Sequence, residues 1–104
     1  MAIHYATEQD FDTLLQGEFV IVDFFSTTCV PCKLFSKILE DLEMDMPFLD
    51  IVKVNTTEYP GLGERFEIRA VPTVHFYKEG KMVDSHLGVM PMEELLDVIR
   101  KYAY

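Results

Sequence analysis

The two cysteines of this chain, Cys29 and Cys32, are separated by two residues in the segment CVPC. Such a pair serves thiol–disulfide exchange, metal binding or a structural disulfide. A structural zinc site usually needs four ligands, often two such pairs, and this chain has no further cysteine. A metal or cluster shared between two chains and an inert pair also stay open. The surroundings of the pair must decide between these chemistries.

A buried strand and a helix are predicted on either side of the pair. The run FVIVDFF (19–25) is apolar except for Asp23, which predicts a strand buried on both faces. A helix is predicted over 31–46, with Pro31 in its first turn. Its inward-facing stripe consists of Cys32, Phe35, Leu39 and Leu42.

This arrangement would make the two cysteines unequal. Cys29 lies at the helix N-terminus, where free N–H groups and the helix dipole stabilise a thiolate. Cys32 lies one turn further along, on the shielded face. One sulfur is therefore presented for attack and the other is held behind it, as thiol–disulfide exchange requires. The setting favours a redox couple.

The rest of the chain predicts alternating strands and helices in one domain, 1–104. Strands are predicted at 3–6, 48–54, 72–78 and 81–87, the last two joined by a hairpin turn at Glu79–Gly80. Helices are predicted from Thr7 to Gly17, within 59–68, and from Pro91 onward. The order β-α-β-α-β-α-β-β-α predicts an α/β fold, a mixed central sheet with helices on both faces.

The composition excludes several classes of partner. The net charge is −9, from 9 basic and 18 acidic residues, so a nucleic acid would be repelled. No apolar run approaches the ~20 residues that span a bilayer, so no membrane insertion is expected. The first residues, MAIHYATEQD, do not resemble a signal peptide, which predicts a cytoplasmic location. We also expect a monomer.

The segment VDFFSTTCVPCK resembles the active-site segment of thioredoxins, in which an Asp-bearing strand leads into W-C-G-P-C-K. The resemblance extends over nearly the whole chain, including VKVNTTEYPGLGERFEIRAVPTVHFYKEGK. It implies the thioredoxin fold and reduction of protein disulfides, with Cys29 as the nucleophile and Cys32 as the resolving thiol. It also implies a redox-active disulfide, no bound cofactor, and re-reduction by a flavin- and NADPH-dependent thioredoxin reductase.

Two residues beside the nucleophile depart from the family pattern. Thr28 stands where thioredoxins have Trp, and Val30 replaces the Gly of the motif. Losing the Trp removes a flat contact surface, and a β-branched Val stiffens the loop. A second hypothesis therefore stays open, in which the chain is a thioredoxin-fold binding or adaptor module with weak or no turnover.

Asp23 and Lys53 are candidate supporting residues. A buried carboxyl at position 23 would have a raised pKa, which suits proton exchange with Cys32. The alternative is an Asp that faces solvent at the end of a strand. The resemblance implies that Lys53 approaches Asp23, whereas a lysine extending its ammonium to water is the other interpretation.

A substrate-binding rim is expected around the cysteines. The resemblance implies a cis bond between Val71 and Pro72, with the Val71 backbone aimed at an extended substrate chain that adds as a strand. It also places Gly88 in the substrate groove. The proposed rim consists of Val30, Pro31, Val71, Pro72 and Val89. Of the histidines, His75 is predicted to pack in the protein, while His4 and His86 are predicted at the surface.

Overall fold

Five strands form one sheet in a computed structural model that describes residues 3–104. The order across the sheet is β1-β3-β2-β4-β5. The first three strands run parallel, whereas β4 is antiparallel to β2 and β5 is antiparallel to β4. The strands are β1 (Ile3–Tyr5), β2 (Phe19–Phe25), β3 (Asp50–Asn55), β4 (Thr73–Lys78) and β5 (Lys81–Leu87). The central strand, β2, leads directly into the cysteine segment.

Three helices connect the first four strands, and a fourth follows the last strand. They are α1 (Phe11–Leu14), α2 (Val30–Asp45), α3 (Pro60–Arg65) and α4 (Met92–Tyr102). The predicted order β-α-β-α-β-α-β-β-α and the mixed sheet are confirmed. The hairpin turn also lies where it was predicted, with positive φ angles of 51° at Glu79 and 84° at Gly80.

Two elements begin two or more residues later than their sequence patterns predicted. The first helix begins only at Phe11, because Thr7 and Asp10 close a turn before it. The Asp10 carboxylate accepts a hydrogen bond from the Thr7 N–H at 2.6 Å, and the Thr7 hydroxyl accepts one from the Asp10 N–H at 3.3 Å. Strand β3 begins at Asp50 rather than at 48, because the Leu49 N–H donates to the Met46 carbonyl in a turn.

The alternation of side chains along β2 determines which residues face the cysteine helix. Ile21 packs with Phe35 and Leu39 of α2 in one apolar cluster, whereas Val22 belongs to a cluster on the opposite face with Phe11 of α1. Since successive residues of a strand point to opposite faces, Asp23 shares the face of Ile21. The carboxyl is therefore held beneath α2.

Strand β3 follows the same rule. Ile51 packs in the cluster under α2, and Val52 and Val54 pack in the opposite cluster. Lys53 is the register partner of Asp23 in the parallel pair of β2 and β3. Both charged residues therefore lie on the face that α2 covers.

Candidate active site

Cys29 and Cys32 are joined by a disulfide bond at the start of α2. Cys29 is the N-cap residue, with extended backbone angles, and its Sγ accepts a hydrogen bond from the Cys32 N–H at 3.1 Å. Cys29 is partly exposed, whereas Cys32 is only 4% exposed. The two sulfurs therefore differ in access, as the sequence predicted.

The local electrostatics favour a thiolate on Cys29 when the disulfide is reduced. A negative sulfur at the N-cap of a 16-residue helix is stabilised by the free N–H groups and by the dipole of that helix. The first turn of α2 contains no acidic side chain. Lys33, which follows the motif, is exposed. These features lower the pKa of a thiol in general.

Asp23 is fully buried, with 0% of its surface exposed. The alternative of a solvent-facing Asp is therefore wrong, because α2 covers this side of β2. Desolvation by burial raises the pKa of Asp23 to about 6, although the positive charge of Lys53 acts in the opposite direction. Within residues 3–104, neither carboxylate oxygen accepts a hydrogen bond. The group can therefore change its protonation state near neutral pH.

Lys53 is buried as well, at 4% exposure, so its ammonium does not extend to water. Its Nζ lies 3.4 Å from Oδ2 of Asp23 and donates a hydrogen bond to the Ser36 hydroxyl. The same atom lies 5.0 Å from the centre of the Phe25 ring and 5.9 Å from that of Tyr5. These aromatic faces contribute further favourable contacts to a cation.

Ser36 was not singled out by the sequence analysis. It lies four residues after Cys32 on α2, a spacing that places the two side chains on neighbouring turns of one helix face. The sequence offered one sign of such a role, which is that the polar Ser36 directly follows the buried Phe35 on the helix. The spacing alone did not show that a lysine from β3 would meet it.

A pocket of about 460 Å³ opens beside these residues. Its lining includes Cys32, Ser36 and Lys53 together with the rings of Tyr5 and Phe25. The resolving cysteine and the buried ammonium therefore border the same space. A proton or a water molecule can reach both from this side.

Three residues of the expected substrate-binding surface, Val71, Pro72 and Gly88, lie together beside Cys29. The carbonyl oxygen of Val71 is 3.8 Å from Sγ of Cys29, and the bond between Val71 and Pro72 is cis. The Gly88 N–H donates to the Pro72 carbonyl at 2.8 Å, which joins the two loops. Gly88 has a φ of +99°, a conformation that favours glycine.

The other rim candidates differ in exposure. Val30 is 78% exposed and Pro31 is exposed beside it, so both are accessible to a partner. Val89 is partly buried and packs against the apolar cluster under α2. It therefore offers less surface than the other apolar residues of the rim.

The histidines lie away from the cysteine pair. His75 is 7% exposed and packs edge-on against Phe24, with 5.0 Å between the ring centres, which confirms that it is a packed residue. Burial lowers the pKa of its imidazole. In the described part of the chain, no three His, Cys, Asp or Glu side chains are grouped as a metal site requires. His4 and His86 are partly exposed.

Helix length and polarity bear on membrane insertion. Among residues 3–104, none of the helices is both long and apolar enough to cross a bilayer.

Comparisons with known proteins identify this arrangement of strands and cysteines. The family model described as Thioredoxin matches residues 2–101. A thioredoxin of Staphylococcus aureus is 36% identical over 103 residues, which cover 98% of this chain and 99% of the relative.

Solved structures agree with this match. The oxidised thioredoxin of Plasmodium falciparum superposes with a TM-score of 0.84 at 32% identity, covering 98% of this chain and 99% of the other. Thioredoxin f2 of Chlamydomonas reinhardtii gives a TM-score of 0.85 at 28% identity, covering 95% of this chain and 94% of the other.

Proposed function

Since this chain belongs to the thioredoxin family and is a dithiol–disulfide oxidoreductase, we propose that it reduces protein disulfides with Cys29 as the nucleophile and Cys32 as the resolving thiol. The observation that carries this assignment is the difference in access between the two sulfurs. Cys29 is partly exposed at the helix N-cap, while Cys32 is 4% exposed one turn further on.

The reaction begins with the reduced protein. The Cys29 thiolate attacks one sulfur of the substrate disulfide and forms a mixed disulfide, and the other substrate sulfur leaves as a thiolate that takes up a proton. Cys32 then loses its proton and attacks Sγ of Cys29. The second substrate sulfur leaves and is protonated. The substrate gains two electrons and two protons, and the Cys29–Cys32 disulfide seen in the structure is formed.

Asp23 is proposed as the group that accepts the proton of Cys32. Its buried carboxyl has a pKa of about 6, so it is mostly ionised at neutral pH and still able to hold a proton briefly. The Nζ of Lys53 lies 3.4 Å from the Asp23 carboxylate, and its positive charge lowers the free-energy cost of burying that negative charge. Cys32 and Lys53 border the same pocket, and Asp23 is the ion-pair partner of Lys53, so we propose that water in this pocket relays the proton from Cys32 to Asp23.

The substrate is proposed to bind as an extended chain beside Val71. A chain placed there could add main-chain hydrogen bonds as a short strand and bring its disulfide to Cys29, whose Sγ is 3.8 Å from the Val71 carbonyl oxygen. Exposed Val30 and Pro31 would contact its apolar side chains. Pro72, Gly88 and Val89 complete the proposed surface.

The electron donor, the redox group, the location and the oligomeric state are also proposed. An NADPH-dependent thioredoxin reductase is the proposed electron donor, since this family is generally reduced by one. We propose that the Cys29–Cys32 disulfide is the redox group and that no separate cofactor is bound. The cytoplasm is the proposed location, because catalytic dithiols are kept reduced there. The chain is proposed to act as a monomer and as a single domain, 1–104.

Reduction of insulin tests the proposed function. With dithiothreitol as reductant, the protein should accelerate the precipitation of insulin chains well beyond the rate with dithiothreitol alone. With NADPH and a thioredoxin reductase, it should couple NADPH oxidation to the same reaction. The matched control is the variant in which both cysteines are Ser. If wild type and control behave alike in both assays, the adaptor hypothesis replaces this one.

A reducing couple is a separate prediction. The motif contains Val30 and Pro31 and no His that would stabilise the thiolate of the reduced form. We therefore expect a reduction potential below about −200 mV, and each 30 mV corresponds to about 1.4 kcal/mol. Equilibration with glutathione buffers measures the potential. A value near roughly −120 mV, typical of a strong oxidant, would contradict the expectation.

A further inference from the structure

The outer face of α2 carries two exposed apolar side chains close to the nucleophile. Val30 is 78% exposed and Leu34 is 58% exposed, and their spacing of four residues places them side by side on one helix face. Val30 directly follows Cys29, so the pair continues the proposed substrate surface along α2. Exposed apolar residues are common on protein surfaces, so their significance depends on the charges around them.

The charged residues of α2 run against the helix dipole, which favours anions near a helix N-terminus and cations near its C-terminus. Those of its N-terminal half are Lys33 and Lys37, and those of its C-terminal half are all acidic: Glu40, Asp41, Glu43 and Asp45. Helix α4 of the same chain has the favoured order, with acidic residues in its first turn and basic ones in its last. A local arrangement that lowers helix stability in one element indicates a function for the charges there.

The two lysines differ in their relation to the nucleophile. Lys33 lies one turn from Cys29, where a positive charge favours the thiolate. Lys37 lies one turn further on, about 12 Å from Cys29 along the helix axis. This distance exceeds the Debye length of about 8 Å at physiological salt, so Lys37 contributes little to the thiolate. Its position against the dipole needs another reason.

Lys37 is held only by a weak ion pair. Its Nζ lies 3.5 Å from Oδ1 of Asp41, and the two side chains are 70% and 52% exposed. Exposed pairs contribute little to stability, and a helical pair with the lysine on the N-terminal side is the poorer of the two orientations. The ammonium is therefore available to a carboxylate of a binding partner.

We infer that the first two turns of α2 are a second arm of the substrate site, in which Val30 and Leu34 contact apolar side chains and Lys37 pairs with an acidic residue of the substrate. An extended chain advances about 3.3 Å per residue, so a residue about four positions from the attacked cysteine reaches Lys37. The preferred substrate is a protein whose disulfide is flanked at this distance by apolar and acidic side chains. This inference rests on the proposed function, in which Cys29 attacks a protein disulfide.

Two peptides test the charged part of this arm. Each is closed by one disulfide and has leucine beside it, and they differ only in carrying Glu or Lys about four positions outside the cysteines. Reduced protein is mixed with an excess of either peptide, and alkylation followed by mass spectrometry gives the rate constant of its oxidation. The ratio of the rate constants, Glu peptide over Lys peptide, is the readout. A change in the nucleophilicity of Cys29 affects both peptides alike and leaves this ratio unchanged.

Lys37→Gln should lower the ratio about threefold, because the carboxylate of the Glu peptide loses its partner. Asp41→Asn, which frees Lys37, should raise the ratio about twofold. Both effects should shrink in about 0.5 M NaCl, where exposed charges are screened. An unchanged ratio in Lys37→Gln, or an effect that salt does not reduce, overturns the inference.

Matched variants control for the net charge of −9. Lys81 is exposed and begins β5 at the end of the sheet opposite the cysteines, so Lys81→Gln changes the net charge as Lys37→Gln does without touching α2. Asp45→Asn, at an exposed position at the end of α2, serves in the same way for Asp41→Asn. If a control shifts the ratio as much as its partner, long-range repulsion explains the effect and the inference fails.

Leu34→Gln tests the apolar part. Glutamine is nearly as good a helix former as leucine, so α2 is preserved. The rate constants with both peptides should fall about fivefold, because an apolar contact with their leucine is lost. The control is Met44→Gln, since Met44 is 77% exposed in the last turn of α2, and its rate constants should stay within a factor of about 1.5 of the wild type. If Leu34→Gln behaves like Met44→Gln, the inference is overturned.

Failure of this inference is distinguishable from failure of the proposed function. If neither peptide oxidises the reduced wild type, the proposed function is wrong and the inference falls with it. If both peptides oxidise the wild type while the variants at Leu34 and Lys37 match their controls, the proposed function stands and only the role of α2 is wrong.

Discussion

Replacing Cys29 by Ser is expected to abolish disulfide reduction and to leave no covalent adduct with substrate. The hydroxyl occupies the N-cap position but is not ionised near neutral pH, so no nucleophile remains at the partly exposed site. The loss should reach the background rate of dithiothreitol in the insulin assay. In the reduced wild type, Cys29 should also be the thiol that iodoacetamide alkylates near neutral pH.

Cys32→Ser should stop turnover at a later step. Attack by Cys29 proceeds, but the resolving thiol is missing, so the mixed disulfide accumulates. Non-reducing gels should display this adduct with substrate, and dithiothreitol should release it. Because Cys32 is held one helical turn from Cys29, its intramolecular attack in the wild type should be faster than attack by external thiols on the trapped adduct.

The two cysteine variants together separate the competing hypotheses. An adaptor would bind its partner without a covalent bond and would tolerate both substitutions. A metal-bridged dimer would lose its metal equally with either one. If both variants behave alike, with no trapped partner in either, the assignment of nucleophile and resolving thiol is wrong.

Asp23→Asn is expected to slow resolution while making the protein more stable at neutral pH. The amide fills the same space but cannot take up the proton of Cys32, so the second step should suffer more than attack by Cys29. Equal rates for the variant and the wild type from pH 6 to 8 would leave Asp23 with a structural part only.

The stability effect follows from the pKa of Asp23. Burial raises this pKa from 3.8 to about 6, so the folded state binds the proton more tightly than the unfolded state. Below pH 3.8 the carboxyl is protonated in both the folded and the unfolded state, so the folded state does not bear the cost of burying a charge. As the pH rises through about 6, the carboxyl ionises in the folded state, and the stability that its tighter proton binding gave to that state is lost. A rise of this size in the pKa corresponds to about 3 kcal/mol.

The Asn variant removes this pH-dependent cost. The loss of the counter-charge of Lys53 is already contained in the pKa of about 6, whereas the buried amide of Asn lacks hydrogen-bond partners for its N–H groups, which offsets part of the gain. We expect the free energy of unfolding at pH 7.5 to rise by about 2 kcal/mol, with the difference vanishing near pH 3.5. Denaturant unfolding of the oxidised proteins at both pH values measures it. The exposed control Asp45→Asn should change the value by less than about 0.5 kcal/mol. A variant less stable than the wild type at pH 7.5 would contradict this account.

The sequence by itself determined the order of elements and the position of the cysteine pair. Hydrophobic patterns are local, so the apolar run at 19–25 predicted β2 with the bounds that the structure has. The spacing of Cys32, Phe35 and Leu39 likewise predicted the buried face of α2. Together these two elements place Cys29 at a strand–helix junction, which is enough to indicate a redox couple.

Local side-chain hydrogen bonds could not be predicted from the spacing of apolar residues. The apolar spacing that favours a helix from Thr7 does not show that Thr7 and Asp10 bind each other and delay the helix to Phe11. Such side-chain bonds compete with helix formation, and only the folded geometry decides between them.

The charged centre was decided by the tertiary structure. A single Asp in a strand can face water or the core, and only the packing of α2 over β2 shows that Asp23 is fully buried. The contact between Lys53 and Ser36 joins residues 17 positions apart on a strand and a helix. It depends on the register of β3 against β2 and on the placement of α2 across them. Periodicity along the chain carries no information about either, because it records which face of an element is apolar and not which element covers that face.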